Sequence, residues 1–203
     1  MTVTITPLTG SALTQALDDL ARLRIAVFRA YPYLYDGTLE YEAKYLSEFA
    51  KAKDGIIVAA KVRDENGDSI IGCATGCATG CALSTQHAPL QQPFRDRGYD
   101  IDSIFYCGES VLLPDYRGRG IGHAFFDHRE AQARRCGYTL STFCGVVRPD
   151  DHPAKPAGYV PLDAFWQKRG YRKAEGLTTT FGWKDVGEPA ETDKPMQFWV
   201  KAL

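Results

Sequence analysis

A chain of 203 residues with a net charge of -1 has length for one domain with a sizeable core, and no general attraction to nucleic acid or to an anionic membrane surface. Hydrophobic residues are 44% and charged residues 24% of it, the balance of a soluble globule, with no apolar run near the roughly 18 residues of a membrane helix. The opening MTVTITPLTG lacks the basic-then-apolar layout of a signal peptide, so a cytoplasmic protein is expected.

Residues 2–6 alternate β-branched side chains and read as a first strand. Ser11 is placed to cap a helix that ends near Phe28 or Arg29, with Leu13, Leu17, Leu20, Leu23 and Val27 on one face. Tyr31, Tyr33 and Tyr35 surround Pro32 in a loop closed by Asp36-Gly37. Such tyrosines either cover a core with their hydroxyls wet or wall a pocket for a small organic molecule. Thr38 caps a second helix bearing Leu39, Ala43, Leu46 and Ala50. Residues 55–62 and 69–83 form strands joined by the Asp64-Glu65-Asn66-Gly67 turn.

The second of these strands repeats Cys-Ala-Thr-Gly. Alternation puts Cys73, Thr75, Cys77, Thr79 and Cys81 on one face. Ala74, Gly76, Ala78 and Gly80 fall on the other, where another layer is free to approach closely. A four-residue insertion that lengthens or bulges the strand accounts for the repeat equally well. The six cysteines do not form a disulfide framework in a chain this long, and spacings of four depart from the paired CxxC of zinc sites. Reduced thiols and no metal are expected. Residues 84–103 read as a polar loop with a short helix near residues 93–97.

Residues 105–113 are a run of β-forming residues ended by Pro114, followed by YRGRGIG at 116–122 and a helix from Ile121 with Ile121, Ala124, Phe125 and His128 on one face. The first N–H groups of a helix have no partner within it and favour an anion. Gly118, Gly120 and Gly122 remove side chains there, and Arg117 and Arg119 add positive charge. The string is neither GxxxxGK[ST] nor GxGxxG. What remains is Arg117-x-x-Gly120-x-Gly122 after a strand ending in proline. This resembles the acetyl-coenzyme A loop of the GNAT superfamily of N-acetyltransferases.

Residues 140–147 form the next strand, containing Cys144. The loop 148–161 carries four prolines, and a short helix at 162–169 stops at Gly170. Residues 178–183 and 196–200 read as closing strands joined by the polar stretch 185–195. The order gives an α/β domain with a mixed sheet over residues 1–203, in agreement with the GNAT fold.

The resemblance implies an N-acetyltransferase that takes acetyl-coenzyme A as donor and a primary amine, on a small molecule, as acceptor. Carried over by position, the pantetheine arm meets the main chain of Ser110, Val111 and Leu112. The pyrophosphate meets the segment Arg117, Gly118, Arg119, Gly120, Ile121, Gly122 and His123. Tyr31, Tyr33 and Tyr35 fall over the acceptor site. Glu109, a carboxylate in an otherwise apolar strand, is the candidate base or an anchor for a cationic acceptor, and its alternative is an ion pair with an internal arginine. Tyr106 and His152 are weaker choices. The family's helix tyrosine, which protonates the departing thiolate, falls on Trp166. Tyr159 is the nearest phenol to replace it, and water is the other route. That departure leaves open a rival, a non-catalytic acyl-coenzyme A-binding or sensing module of the same fold. The sequence does not set the oligomeric state, and a homodimer is compatible with it.

Overall fold

The computed structural model describes residues 2–65, 67–78 and 87–203. Asn66 of the expected turn, the strand end at 79–83 with Thr79, Gly80 and Cys81, and the loop start at 84–86 lie outside the described residues. The elements are β1 (Val3–Leu8), α1 (Gly10–Phe28), α2 (Leu39–Ala50), β2 (Ile56–Asp64), β3 (Gly67–Ala78), α3 (His87–Arg95), β4 (Ile104–Leu112), α4 (Ile121–Arg135), β5 (Leu140–Val146), α5 (Asp163–Lys168), β6 (Arg172–Lys184) and β7 (Glu191–Ala202). Short 3-10 turns at Ile101–Ser103 and Pro114–Tyr116 bracket β4. Among the described residues the seven strands form one mixed sheet in the order β1-β2-β3-β4-β5-β7-β6.

Two layers of helix cover the sheet because each helix and each sheet face has one apolar side to bury. Leu20 of α1 and Leu46 and Phe49 of α2 pack on Ile57, Cys73, Cys77 and Val111. Leu90 and Phe94 of α3 pack on Ile104, Tyr106 and Phe198. Ile121 and Phe125 of α4 cover Val58, Ala60 and Ala74, and Phe126 and Ala133 cover Phe105, Cys107 and Phe143. The expected division of β3 therefore holds, with Cys73 and Cys77 toward α1 and α2 and Ala74 toward α4. The small residues there admit close neighbours. A Cβ on Gly76 would meet the Phe105 ring at 2.5 Å.

Several local expectations are corrected. Ser11 lies inside α1, whose N-cap is Thr9. Thr38 does cap α2, accepting from the Tyr41 N–H at 3.3 Å, but α2 turns its stripe to Glu42, Leu46 and Phe49 and leaves Leu39 exposed. On α4, the stripe past the first turn runs through Phe126, Arg129 and Ala133 rather than Ala124 and His128. The short helix lies at His87–Arg95 with Pro93 inside it. Pro93 has no N–H for the Pro89 carbonyl, and the Thr179 hydroxyl of β6 donates to that oxygen instead, at 2.8 Å. β6 and β7 are also longer than expected, because each pairs with its neighbour well past the apolar run.

Among the described residues β4 and β5 are the only parallel neighbours in the sheet, and they pair through three positions: Ile104 with Leu140, Phe105 with Ser141, and Tyr106 with Thr142. β4 continues to Leu112 and β5 to Val146 without further pairing to each other. The sheet splits at the C-terminal ends of these strands, the end from which the chain enters the glycine-rich turn.

Candidate active site

The glycine-rich turn comes first in the construction of the site. Gly118 and Gly120 have φ of +75° and +79°, in the left-handed region that glycine enters without strain. A Cβ at either would meet nothing within 4 Å, so these two leave open space above the start of α4. Gly120 is the N-cap residue, no side chain caps that end, and the first turn holds no acidic residue. The His123 N–H donates to the Gly120 carbonyl at 3.0 Å, so the amides of Ile121 and Gly122 and the positive end of the helix dipole are what this end offers an anion. Arg117 and Arg119 are exposed. Arg119 donates to the Asp115 carbonyl at 2.9 Å and lies over the Tyr116 ring. Gly122 differs from its two neighbours. A Cβ there would meet the Phe165 ring of α5 at 3.3 Å, so its role is close packing inward. His123 also packs inward, with its ring 4.9 Å from Phe165. The turn fits a pyrophosphate on Gly118, Gly120 and the amides that follow.

Next is a bulge in β4. Cys107 pairs with Gly76 and Ser110 with Ala74, so Gly108 and Glu109 together face Thr75. One extra residue reverses the alternation of a strand. Phe105 and Cys107 face α4, yet Glu109 joins Tyr106 in lining a cavity on the other face. That cavity has a volume of about 720 Å³. It is bounded by the loop between α1 and α2, by α2, by β4 from Tyr106 to Ser110, by Cys144 of β5 and by the β6–β7 hairpin. Both parted strands line it, so the split in the sheet opens on it. Val111 and Leu112 lie beyond it, in register with Cys73 and Gly72.

Glu109 is 9% exposed and engaged. Arg24 of α1 makes ion pairs with both Glu109 and Glu42, and the Tyr45 hydroxyl donates to Glu109 Oε2 at 3.0 Å. The Arg24 guanidinium lies over the rings of Tyr45 and Phe28, 4.4 and 5.1 Å from their centroids. Burial alone would lower the pKa of Arg24, but the charges of Glu109 and Glu42 and the hydrogen bond to Glu42 hold it above its ordinary value. Two carboxylates share one buried cation on the cavity floor. The internal ion pair weighed for Glu109 is present, and Glu109 lines the cavity as well. Opposite, the Tyr106 hydroxyl lies 3.4 Å from Cys144 Sγ. Burial pushes the Cys144 thiol up to about 12, so it stays protonated and is a poor nucleophile at neutral pH.

The tyrosine loop divides in two. Tyr33 and Tyr35 line the cavity. Burial raises the Tyr33 phenol first, and the neighbouring Cys144, Glu109 and Tyr159 raise it further. Tyr31 points elsewhere: its ring packs edge-on against Tyr159 at 4.7 Å and near His152 at 5.7 Å, and none of these three lines the cavity. The loop is clamped by Arg148, which follows β5. Its Nε donates to the Pro32 carbonyl at 2.8 Å and its Nη2 to the Tyr33 carbonyl at 2.7 Å, while Nη1 and Nη2 form a two-point pair with Asp185 at 2.8 and 3.0 Å. The Trp183 indole N–H also donates to the Tyr33 carbonyl, at 2.9 Å. Trp166 packs against Phe143 and Trp199, at 5.0 and 5.1 Å between ring centroids. An apolar cluster thus occupies the position of the family's tyrosine.

Sequence reasoning passed over Arg24, Glu42, Arg148 and Asp185. Two of them left a signal. Arg24 is four residues after Leu20 and Glu42 four before Leu46, so each charge falls on its helix's apolar stripe. Arg148 and Asp185 are 37 residues apart, and nothing local connects them.

Comparison with known proteins agrees with this geometry. No curated protein matches the chain. Among solved structures, a protein of Acinetobacter baylyi ADP1 assigned as an acetyltransferase superposes with a TM-score of 0.63 at 15% identity, over 100% of this chain and 92% of its own. The ribosomal-protein-alanine N-acetyltransferase of Brucella melitensis does so at 0.61 and 13%, over 98% and 99%. A Salmonella typhimurium protein whose structure holds its cofactor acetyl-CoA gives 0.58 and 13%, over 100% and 95%. At these identities the likeness is one of fold. The acetyltransferase (GNAT) family model matches residues 17–171, which takes in α2, the bulged strand, the glycine-rich turn and the helix ending at Gly170. With split strands, an open anion site and most of the chain in agreement, the protein belongs to the GNAT acetyltransferase family.

Proposed function

We propose that this protein is an N-acetyltransferase that moves an acetyl group from acetyl-coenzyme A to a primary amine of a small molecule. The observation that carries the reading is the β4 bulge, which turns Glu109 into the cavity on which the split strands open. Acetyl-coenzyme A supplies a thioester carbonyl open to attack by an amine. Gly118, Gly120 and the first amides of α4 hold its pyrophosphate, and the main chain of Ser110, Val111 and Leu112 borders the split that takes its arm. Tyr33, Tyr35 and the Trp183 face wall the acceptor side. Glu109 holds the acceptor's ammonium and takes up its proton, directly or through water, while Arg24 and Tyr45 fix the carboxylate in place. The departing thiolate is protonated by water or by Tyr159, whose ring lies edge-on to Tyr31. A reducing, cytoplasmic setting suits the described cysteines, among which no disulfide forms. No helix among the described residues is long and apolar enough to cross a membrane.

The test is thiol release from acetyl-coenzyme A against a panel of small amines, with mass detection of the acetylated product. A second reading, a non-catalytic acyl-coenzyme A-binding module, is favoured by the packed Trp166 and by the ion pairs on Glu109. Binding of coenzyme A in calorimetry with no amine turned over by the unaltered protein decides for that module.

A further inference from the structure

We infer that Arg129 of α4 is a positioning residue for the transfer: its guanidinium holds the β4 bulge in the register that points Glu109 into the cavity. The inference rests on Glu109 serving the acceptor, as proposed above. Two residues against one leave main-chain groups without ladder partners, and buried groups of that kind need others. The Glu109 N–H donates to Thr75 Oγ1 at 3.3 Å. Arg129 Nη1 donates to the Glu109 carbonyl at 2.9 Å and to the Thr75 carbonyl at 3.4 Å. One cation thus joins an oxygen from each strand at the irregular step. Gly108 belongs to the same device, since a Cβ there would meet Thr75 Oγ1 at 2.6 Å.

The character of Arg129 argues against filler. It is 2% exposed, and no carboxylate pairs with it among the described residues. Its neighbour Glu130 is taken by Arg169, Lys201 and Arg134. Arg129 Nε and Nη2 have no hydrogen-bond partner among the described residues, and the guanidinium carbon lies 4.5 Å from the centroid of the Phe126 ring. A buried cation without a counter-charge is expensive, and an apolar side chain of similar length would pack there more cheaply. What such a side chain lacks is a donor for the two bulge carbonyls. Without that donor, regular pairing would carry Glu109 to the α4 face, against Phe105, Cys107 and Phe126, where a carboxylate has no partner.

The experiment combines Arg129→Met, Arg129→Lys and Thr75→Val, each alone and with Glu109→Gln, in the full chain. Arg129→Met is expected to lower kcat by ~10-fold or more and to raise acceptor KM, because Glu109 both takes up the acceptor's proton and holds its ammonium, with coenzyme A Kd moving less than ~2-fold. Arg129→Lys restores part of kcat by keeping a donor, and Thr75→Val changes kcat in the same direction as Arg129→Met. On a Glu109→Gln background the Arg129 change costs nothing more, since it acts through a group already removed. Amide hydrogen exchange at Glu109 and Ser110 should quicken in Arg129→Met while α4 and β5 stay protected. If Arg129→Met fails to fold, Arg129→Lys and Thr75→Val carry both readouts. Additive loss with Glu109→Gln, or unchanged exchange at the bulge, overturns the inference. If Glu109→Gln keeps full activity, it is the base assignment that fails, and the exchange readout still decides whether Arg129 holds the bulge.

Discussion

On the proposed reading, the donor end and the acceptor end of this site are built from different material. At the donor end, Gly118, Gly120 and the opening amides of α4 act through main chain, within one stretch of sequence. At the acceptor end, the wall comes from the α1–α2 loop, β4, β5 and the β6–β7 hairpin, and its fixed points are side-chain pairs far apart in sequence: Arg24 with Glu42 and Glu109, and Arg148 with Asp185. A donor common to many reactions needs a backbone cradle that tolerates change around it. An acceptor peculiar to one protein needs a wall whose side chains are free to vary, and such a wall has to be pinned.

Substitutions at the two ends should therefore fail differently. The largest effect is expected for Glu109→Gln. General base catalysis contributes ~10²–10⁴ in rate, so kcat should fall on that order while coenzyme A affinity in calorimetry stays put. A glutamine variant with full kcat would falsify the base assignment.

Arg148→Ala comes next. Removing one partner of a fully buried pair costs ~3–5 kcal/mol; this pair is part-buried and Lys194 Nζ stays 3.5 Å from Asp185, so a smaller loss is expected, read as a lower Tm, with a higher acceptor KM and an unaltered coenzyme A Kd. The pair also gives acid sensitivity. Burial raises the Asp185 pKa, but the hydrogen bond and charge of Arg148 and the charge of Lys194 outweigh it and leave the pKa below the ordinary value. A depressed carboxylate pKa lends stability that is present above its unfolded value of about 4 and lost as pH falls through the folded one. Asp185→Asn should flatten that acid limb in pH-dependent melting curves, and an unchanged limb would assign it to other carboxylates.

At the donor end, Gly120→Asp puts a carboxylate over the anion site and a side chain at positive φ. Coenzyme A Kd should rise ~10-fold or more, each ~1.4 kcal/mol being a factor of ten. Gly122→Ala should do the reverse of what glycine-for-phosphate reasoning suggests, lowering Tm by crowding Phe165 and sparing Kd. Equal Kd effects at both positions would show that the two glycines share one role after all.

Smallest are the tyrosines. Tyr33→Phe and Tyr35→Phe should raise acceptor KM several-fold, a lost hydrogen bond being worth about 1 kcal/mol. Tyr31→Phe should leave KM alone, because Tyr31 packs edge-on against Tyr159 outside the cavity. A KM effect confined to Tyr31 would reverse the division of the loop.

What was legible follows the same line. The strand, turn and helix from residue 105 onward could be read because each signal is local: Pro114 stops a ladder, glycines open a turn, and Thr38 offers a hydroxyl to the next turn. Glu109 stood out as a carboxylate in an apolar strand. Its direction did not, because simple alternation places it with Cys107, and the reversal depends on Thr75 and Arg129, 34 residues before it and 20 after. The face of α2 was misjudged for a related reason. Hydrophobicity favoured Leu39, and the ion pair with Arg24 drew Glu42 inward. Pro93 suggested a helix beginning near it, and the hydroxyl that lets the helix run through it comes from Thr179.

The three-position join between β4 and β5 makes the sheet two blades on a short seam. One blade is β1 to β4 and the other is β5, β7 and β6, with little main chain stitching them edge to edge. A rod-like molecule laid along the open part of the seam touches both blades, so its binding energy is also cohesion between them. Ligand that binds only the joined form adds RT ln(1 + [L]/Kd), or ~2.7 kcal/mol at a hundredfold excess over Kd. Coenzyme A should then raise the melting temperature and slow hydrogen exchange on both edges of the seam together, including residues of β5 distant from the phosphate cradle. On the proposed reading, the donor would serve as a structural strut of the blade pair for as long as it is bound.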